Sequence, residues 1–504
     1  MISPAYDRGL TEWNKPASRW ERGLIVDGMI GRVGFALTVV YIFATIISPD
    51  QFGSAWANYH ALTFLGGAIF LLSLPGLVID ARLTSSVQMF LLIGFTLAMG
   101  ISEVANGWVG GAIKSWQLFL PSAIVFFFVV ANVTTARRLK ILVLVSVASC
   151  LVVVVEALCG YYGGFRGRTF ILTQTVFGPG GGAGHFVRVR GAGFLSDPND
   201  FAQMLLIVLP LTSIAWQRGR FVVNSLTVLA PAALLLWTIY LTHSRGALIA
   251  LAIIGMIAIR KRMGTTASVV LTALGTLGML ALNFTGGRLI SADAGADRLW
   301  LWASGLEMFK SAPLFGVGFG RFADIADLTA HNSFVLCLAE LGFVGSTFWV
   351  ALLVTTMMGL NGIINVREKR QTEPACTEED MPRNERATFL RPVPFSCKSR
   401  AVTSIATSAT MDIPTGDEHA LQSQLPTEWI AAMRLAVVSF IATGWFLSRT
   451  YQSTMYLVVG LATATIALNR YGDEPPARVR WLPYTVAVEV AVIIFIDLVV
   501  RLRF

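Results

Sequence analysis

"ILVLVSVASCLVVVVEAL", Ile141 to Leu158, decides the fold class. At 1.5 Å per residue it makes a helix about 27 Å long, close to the hydrocarbon thickness of a bilayer, and its one charged residue is Glu156. Runs of the same character recur as "VGFALTVVYIFATIIS" (33–48), "SLTVLAPAALLLWTIYLT" (225–242) and "VAVEVAVIIFIDLVV" (486–500). Lipid supplies no hydrogen-bond partners, so each segment must pair its own backbone, which a helix does. Strands of a membrane barrel would alternate in polarity, and these runs do not. The composition agrees: 55% of the 504 residues are hydrophobic and 14% are charged, against roughly 25% charged in soluble domains. The mean hydropathy is +0.65. The expected fold is all-α, a polytopic integral membrane bundle of about 12–13 transmembrane helices, one of them over 200–216.

Short loops rich in Arg and Lys should face the cytoplasm. "TTARRLK" (134–140), "QRGR" (217–220) and "RKR" (260–262) fall on one side together when the amino terminus is inside. The chain then divides into a cytoplasmic segment 1–31, a transmembrane core 32–360, a cytoplasmic insert 361–429 and carboxy-terminal helices 430–504. The insert, with "REKR", several prolines and many Ser and Thr, has the composition of a disordered segment. The first apolar run ends in "ISPDQFG" with no small-residue cleavage site, which reads as an anchor. A thirteenth span leaves "RLRF" (501–504) on the outside, an awkward place for two arginines.

On this frame two long loops, near 159–199 and 285–331, reach the outer face together with the tight turn "LTHSRG" (241–246). They carry Arg166, Arg168, Arg188, Arg190, Arg245, Arg288, Arg298 and Arg321. Long loops tolerate positive charge, which is one reading. The other is an anion site, because arginine's planar fork grips carboxylate or phosphate as a point charge cannot. The net charge of +9 is therefore assigned to an outer anionic ligand and not to nucleic acid. Five scattered cysteines give neither a disulfide framework nor a zinc spacing.

In "RVRGAGFLSDPNDFAQMLL" (188–206), Asp197 is placed to cap a helix, Pro198 to occupy its first position and Asp200 to complete a capping box. Asn199, in the first turn, is a candidate to orient substrate, and a helix amino end beside Arg188 and Arg190 suits an anion. In "LTHSRG", Arg245 either snorkels to headgroups or joins the anion site. "DRLWLWASGLEMFKSAP" (297–313) spaces Leu299, Trp302, Leu306 and Phe309 as one helical face, expected to lie along the membrane interface. "GVGFGRF" (316–322) looks like a nucleotide loop, but no strand precedes it, so that reading is set aside. "GPGGGAG" (178–184) is either a mobile flap or a bare linker.

"LTAHNSFVLCLAELGFVG" (328–345) turns from polar loop to apolar helix at His331. Such a histidine can simply cap or pack. Facing the same compartment as the arginines, its imidazole can also take a proton from a hydroxyl near neutral pH. No ATP is available outside, so a bond-forming enzyme there needs a pre-activated substrate. A lipid diphosphate sugar fits, because arginines can stabilise the charge that develops on its leaving group.

In that order between spans, "RGAGFLSDPNDFAQML", "LTHSRGALIALAI", "DRLWLWASGLEMFKSAPLFGVGFGRF" and "AHNSFVLCLAELGFVGS" resemble the O-antigen ligase and polymerase family of bacterial membrane glycosyltransferases. The resemblance implies a GT-C-like architecture in the bacterial inner membrane with its site facing the periplasm. It implies inverting transfer of a glycan from an undecaprenyl-diphosphate-linked oligosaccharide to a hydroxyl on a glycan, lipid A core or other acceptor, without metal or cofactor. Carried onto this chain, Arg190 and Arg245 would hold the diphosphate, with Arg188, Arg298 and Arg321 as further candidates. His331 would activate the acceptor, and Asn332 would orient the substrate. Membrane lipid and a chain-length regulator protein are the expected partners. The competing class is a lipid-linked glycan flippase or sugar exporter, which should carry its ionisable groups near the bilayer midplane in broken helices.

Overall fold

A computed structural model describes residues 28–48, 61–79, 86–166, 169–177, 183–281, 293–372, 425–469 and 480–502. The amino-terminal segment up to 27, Arg168, Gly178 to Gly182, Arg288, the insert from 373 to 424 and the final two residues lie outside them, so the expectations placed there stay as read from the sequence. The chain divides into Met1–Leu360 with Leu425–Phe504, and Asn361–Gln424.

The helices are α1 (Met29–Ile47), α2 (Ala61–Ile79), α3 (Val87–Ala105), α4 (Val109–Asn132) and α5 (Ala136–Gly163). A hairpin of β1 (Ile171–Phe177) and β2 (Ala183–Val189) follows. Then come α6 (Pro198–Leu211), α7 (Phe221–Thr242), α8 (Arg245–Ala281), α9 (Asp293–Ser311), α10 (Phe322–Ala326) and α11 (Ser333–Thr372). The last three are α12 (Thr427–Gly444), α13 (Ser453–Leu468) and α14 (Trp481–Arg501).

Among the described residues nine helices are long and apolar enough to cross a membrane, and two shorter apolar helices accompany them. The fold is a polytopic membrane bundle. Helix α6, expected as a span over 200–216, is instead a 14-residue helix buried on all sides, from Phe201 through Val208. Pro210 and a 3-10 turn at Thr212–Ala215 end it early. On α14, by contrast, Val488, Ile494, Phe495 and Leu498 are exposed, a surface that lipid would solvate. Between helices in lipid, close packing does what water exclusion does elsewhere. Gly460 of α13 illustrates it: a Cβ there would stand 3.2 Å from the Cβ of Val129 on α4.

The hairpin departs from the all-helical expectation. β1 and β2 pair antiparallel, with Leu172 opposite Arg188 and Ile171 opposite Val189. "FILTQTVF" and "HFVRV" are rich in β-branched and aromatic residues, which suits a pleated surface. Helix α9 has a buried face. Its Leu301, Leu306 and Met308 are buried, and a core of Leu301, Met308, Phe322, Val335, Leu336 and Ile496 joins it to α10, α11 and α14. That face is packed on protein.

Helix α11 breaks at Gly342, whose φ is +62°. The "GVGFG" segment fills the break with backbone. Val317 N–H donates to the Ala339 carbonyl (3.0 Å) and Gly318 N–H to the Glu340 carbonyl (3.1 Å), while Phe343 N–H donates to the Pro313 carbonyl (2.8 Å) and Val344 N–H to the Leu314 carbonyl (3.1 Å). A Cβ on Gly316, also at positive φ, would lie 2.3 Å from the Glu340 carbonyl carbon. The glycines are therefore there for close backbone approach, and orphan groups at the break are satisfied internally. The result fixes the first turns of α11, which begin beside His331.

Candidate functional site

The site is assembled at helix ends. His331 has a left-handed backbone, φ +49°, sparsely populated by residues other than glycine and found where surrounding structure overrides local preference. The override is visible one residue on. Asn332 Oδ1 caps α11, accepting from Phe334 N–H (2.9 Å) and Val335 N–H (3.2 Å). Ser333 is clamped by the turn between α12 and α13. Its hydroxyl donates to the Leu447 carbonyl (2.5 Å) and accepts from Arg449 N–H (2.9 Å), while Thr450 Oγ1 donates to the Ser333 carbonyl (2.8 Å).

Around the half-buried imidazole stand Arg298 of α9, Asp197 at the start of α6, and Arg449. Burial is the first cause that holds His331 below the ordinary imidazole value, the Arg298 and Arg449 charges add to it, and Asp197 opposes them. The ring is thus biased toward its neutral form, which can accept a proton.

Arg188, on β2, is 3% exposed. Its Nε donates to the Thr242 carbonyl at the end of α7 (2.7 Å), and its Nη2 to Asn199 Oδ1 (2.8 Å). Asn199 therefore engages Arg188. Asp197 caps α6 as expected, accepting from Asn199 N–H (2.7 Å). Asp200 does not form the expected capping box: it is buried and binds both Nε and Nη2 of Arg449. A long-range guanidinium offers a buried carboxylate more than a local amide does.

Arg245 begins α8 two residues after His243, whose left-handed backbone ends α7. The Arg245 charge bears on Arg188 and on Arg298, lowering the proton affinity of each in addition to the larger effect of burial. Arg245 of α8 thus bears as a like charge on Arg188 of β2, where Asp197 opposes it, and on Arg298 of α9, and of these three it is Arg298 whose charge acts on the histidine. Arg190 is half-buried, its Nε donating to the Thr169 carbonyl (3.0 Å). Arg321 is elsewhere engaged: it pairs with the buried Glu103 (3.7 Å) and lies over the Trp108 ring (5.8 Å to the centroid), and its charge is not among those that shift His331.

Arg449 is the site residue that the sequence reading did not single out. Its turn, "FLSRTYQ", repeats the Ser-Arg pair of "LTHSRG" between two apolar helices, and that repetition was the available signal. The side-chain Nδ2 of Asn332 is fully buried and lacks a hydrogen-bond partner among the described residues. Chemically, the constellation offers a neutral imidazole, a buried amide donor and a set of guanidinium groups matched to a polyanion.

Comparison with known families gives one match: residues 230–350 fit the family described as O-antigen ligase. Arg245, Arg298, Arg321, His331 and Asn332 lie within that segment; Arg188, Arg190, Asn199 and Arg449 lie outside it. The comparison with curated proteins found no match.

Proposed function

Starting from a polytopic helical chain with an O-antigen ligase domain at residues 230–350, we propose a membrane glycosyltransferase. It moves a glycan from a polyprenyl-diphosphate-linked donor to an acceptor hydroxyl on the periplasmic face of the bacterial inner membrane. The observation that carries this reading is the gathering of Arg188, Arg245 and Arg298 from three elements, with the Arg245 charge bearing on both of the others and the Arg298 charge on His331. Like charges held together in a partly buried setting are costly, and a bound diphosphate removes the cost.

His331 takes the acceptor's proton as the acceptor oxygen attacks the anomeric carbon. The bond from that carbon to the diphosphate oxygen breaks, and the lipid diphosphate departs with its new negative charge facing the arginines. One displacement with one base inverts the anomeric centre. Preorganised guanidinium groups stabilise the leaving group where charge develops, and this supplies leaving-group activation with no metal in the scheme. Asn332, whose Nδ2 is held buried by the capping role of its oxygen, donates to a donor or acceptor oxygen.

Transport is the second reading, since a helix broken at Gly342 is a device that transporters use. Here the break is closed by the backbone of 313–318 and does not present carbonyls to a ligand. Proteoliposomes holding the full chain and a labelled polyprenyl-diphosphate glycan separate the two. Labelled acceptor without translocation of donor supports transfer; translocation without product overturns it.

A further inference from the structure

The turn Leu447–Thr450 lies outside the matched segment, yet it reaches the base from two directions. Its backbone and the Thr450 hydroxyl grip Ser333, two residues after His331. Its Arg449 side chain makes a two-point pair with Asp200 of α6, and three residues further along α6 Gln203 Nε2 donates to Thr443 Oγ1 near the end of α12 (2.7 Å). Asp200 is buried and the arginine is partly exposed, so the pair is anchored on the α6 side.

We propose that Arg449 is a positioning residue for His331: locked on Asp200, it presses the turn Leu447–Thr450 onto Ser333, fixes the left-handed backbone of His331, and sets the charge around its ring.

The proposal rests on the transferase reading for its consequence in catalysis, though not for its geometry. A bidentate guanidinium–carboxylate pair has directional as well as electrostatic strength, so it can hold a turn in register where a lysine could not. The charged groups facing His331 are Arg298 from α9, Asp197 at the start of α6, and Arg449 itself, with Asp200 paired to Arg449 and the Arg245 charge bearing on Arg298. Burial pushes the Asp200 carboxyl up to about 7 against the pull of Arg449; while that carboxylate is ionised it offsets Arg449, which disfavours the imidazolium, so the two members of the pair pull the histidine in opposite directions. Loss of the Arg449 charge raises the histidine's proton affinity. Loss of the Asp200 charge leaves Arg449 uncompensated and lowers it. A purely structural brace produces no such opposition.

The test measures the pH dependence of His331 carbethoxylation by diethyl pyrocarbonate, read by peptide mass spectrometry on the full chain in detergent, alongside the pH profile of glycan transfer. Arg449→Gln should move the midpoint upward and Asp200→Asn downward, each by on the order of one pH unit. The double variant, a neutral amide pair, should return near the wild-type midpoint. Arg449→Lys should keep the wild-type midpoint but transfer at least tenfold more slowly, because charge is retained and register is lost. Midpoints that stay put in both single variants, or move the same way, overturn the proposal, and so does a full transfer rate in Arg449→Lys. The carbethoxylation arm needs no transfer. Opposed midpoint shifts in a protein that transfers nothing would therefore sustain the positioning role and count only against the transferase reading.

Discussion

Two sets of arginines occupy the loop ends of this bundle, and they differ in what surrounds them. Arg449 and Arg321 each have a buried carboxylate, Asp200 and Glu103 respectively. Arg245 bears as a like charge on both Arg188 and Arg298, with Asp197 opposing it at Arg188. The first set pairs with buried carboxylates and acts as bracing; the second is the set proposed to meet the donor's diphosphate. The same side chain therefore serves architecture or recognition according to its neighbours, and residue type alone does not distinguish them.

The largest effect expected is at the histidine between the two sets. His331→Ala should lower the transfer rate by about 10²–10⁴-fold, the usual contribution of a general base, with donor affinity retained in a filter-binding assay. Next come the arginines proposed to meet the diphosphate. Arg245→Ala and Arg298→Ala should each weaken donor binding by on the order of 2 kcal/mol, roughly thirtyfold, and lysine should rescue either poorly. Strong rescue would mean that the set acts only through charge.

Smaller and of opposite character is the compensated set. Arg321→Gln should leave donor affinity within about twofold of wild type while lowering the thermal midpoint in detergent, because Glu103 loses its nearby cation. A large loss of donor affinity with unchanged stability would move Arg321 into the recognition set. Last, the histidine's lowered proton affinity has a sign that can be checked. The neutral form should persist below pH 6.5, so transfer should hold its plateau through that pH and decline only under more acidic conditions. An acid limb at or above pH 6.5 would show that the burial and the Arg298 charge do not act on the base.

Much of the fold was legible, because a run such as residues 141–158 has few alternatives in a lipid solvent. The hairpin was not legible: its seven-residue strands are rich in β-branched and aromatic residues but do not alternate in polarity, so no period of two marks them. The length of α6 was misjudged because an apolar segment buried in protein and one crossing lipid share a composition. At the site, Arg245 and His331 stood out by their position at the ends of apolar runs. The Asp200–Arg449 pair did not: its members are 249 residues apart, and local capping logic gave Asp200 a sufficient role nearby. The "GVGFG" loop closes the break at Gly342, and that role depends on a break in a helix that sequence shows as continuous.

The central claim is that one cavity joins the base to the diphosphate grip, and donor footprinting of His331 tests it most directly. Saturating polyprenyl-diphosphate glycan should protect His331 from carbethoxylation in the wild type, and the protection should be lost at the same donor concentration in Arg245→Ala. A histidine modified at the same rate with and without saturating donor, in a protein shown to bind it, would contradict the account.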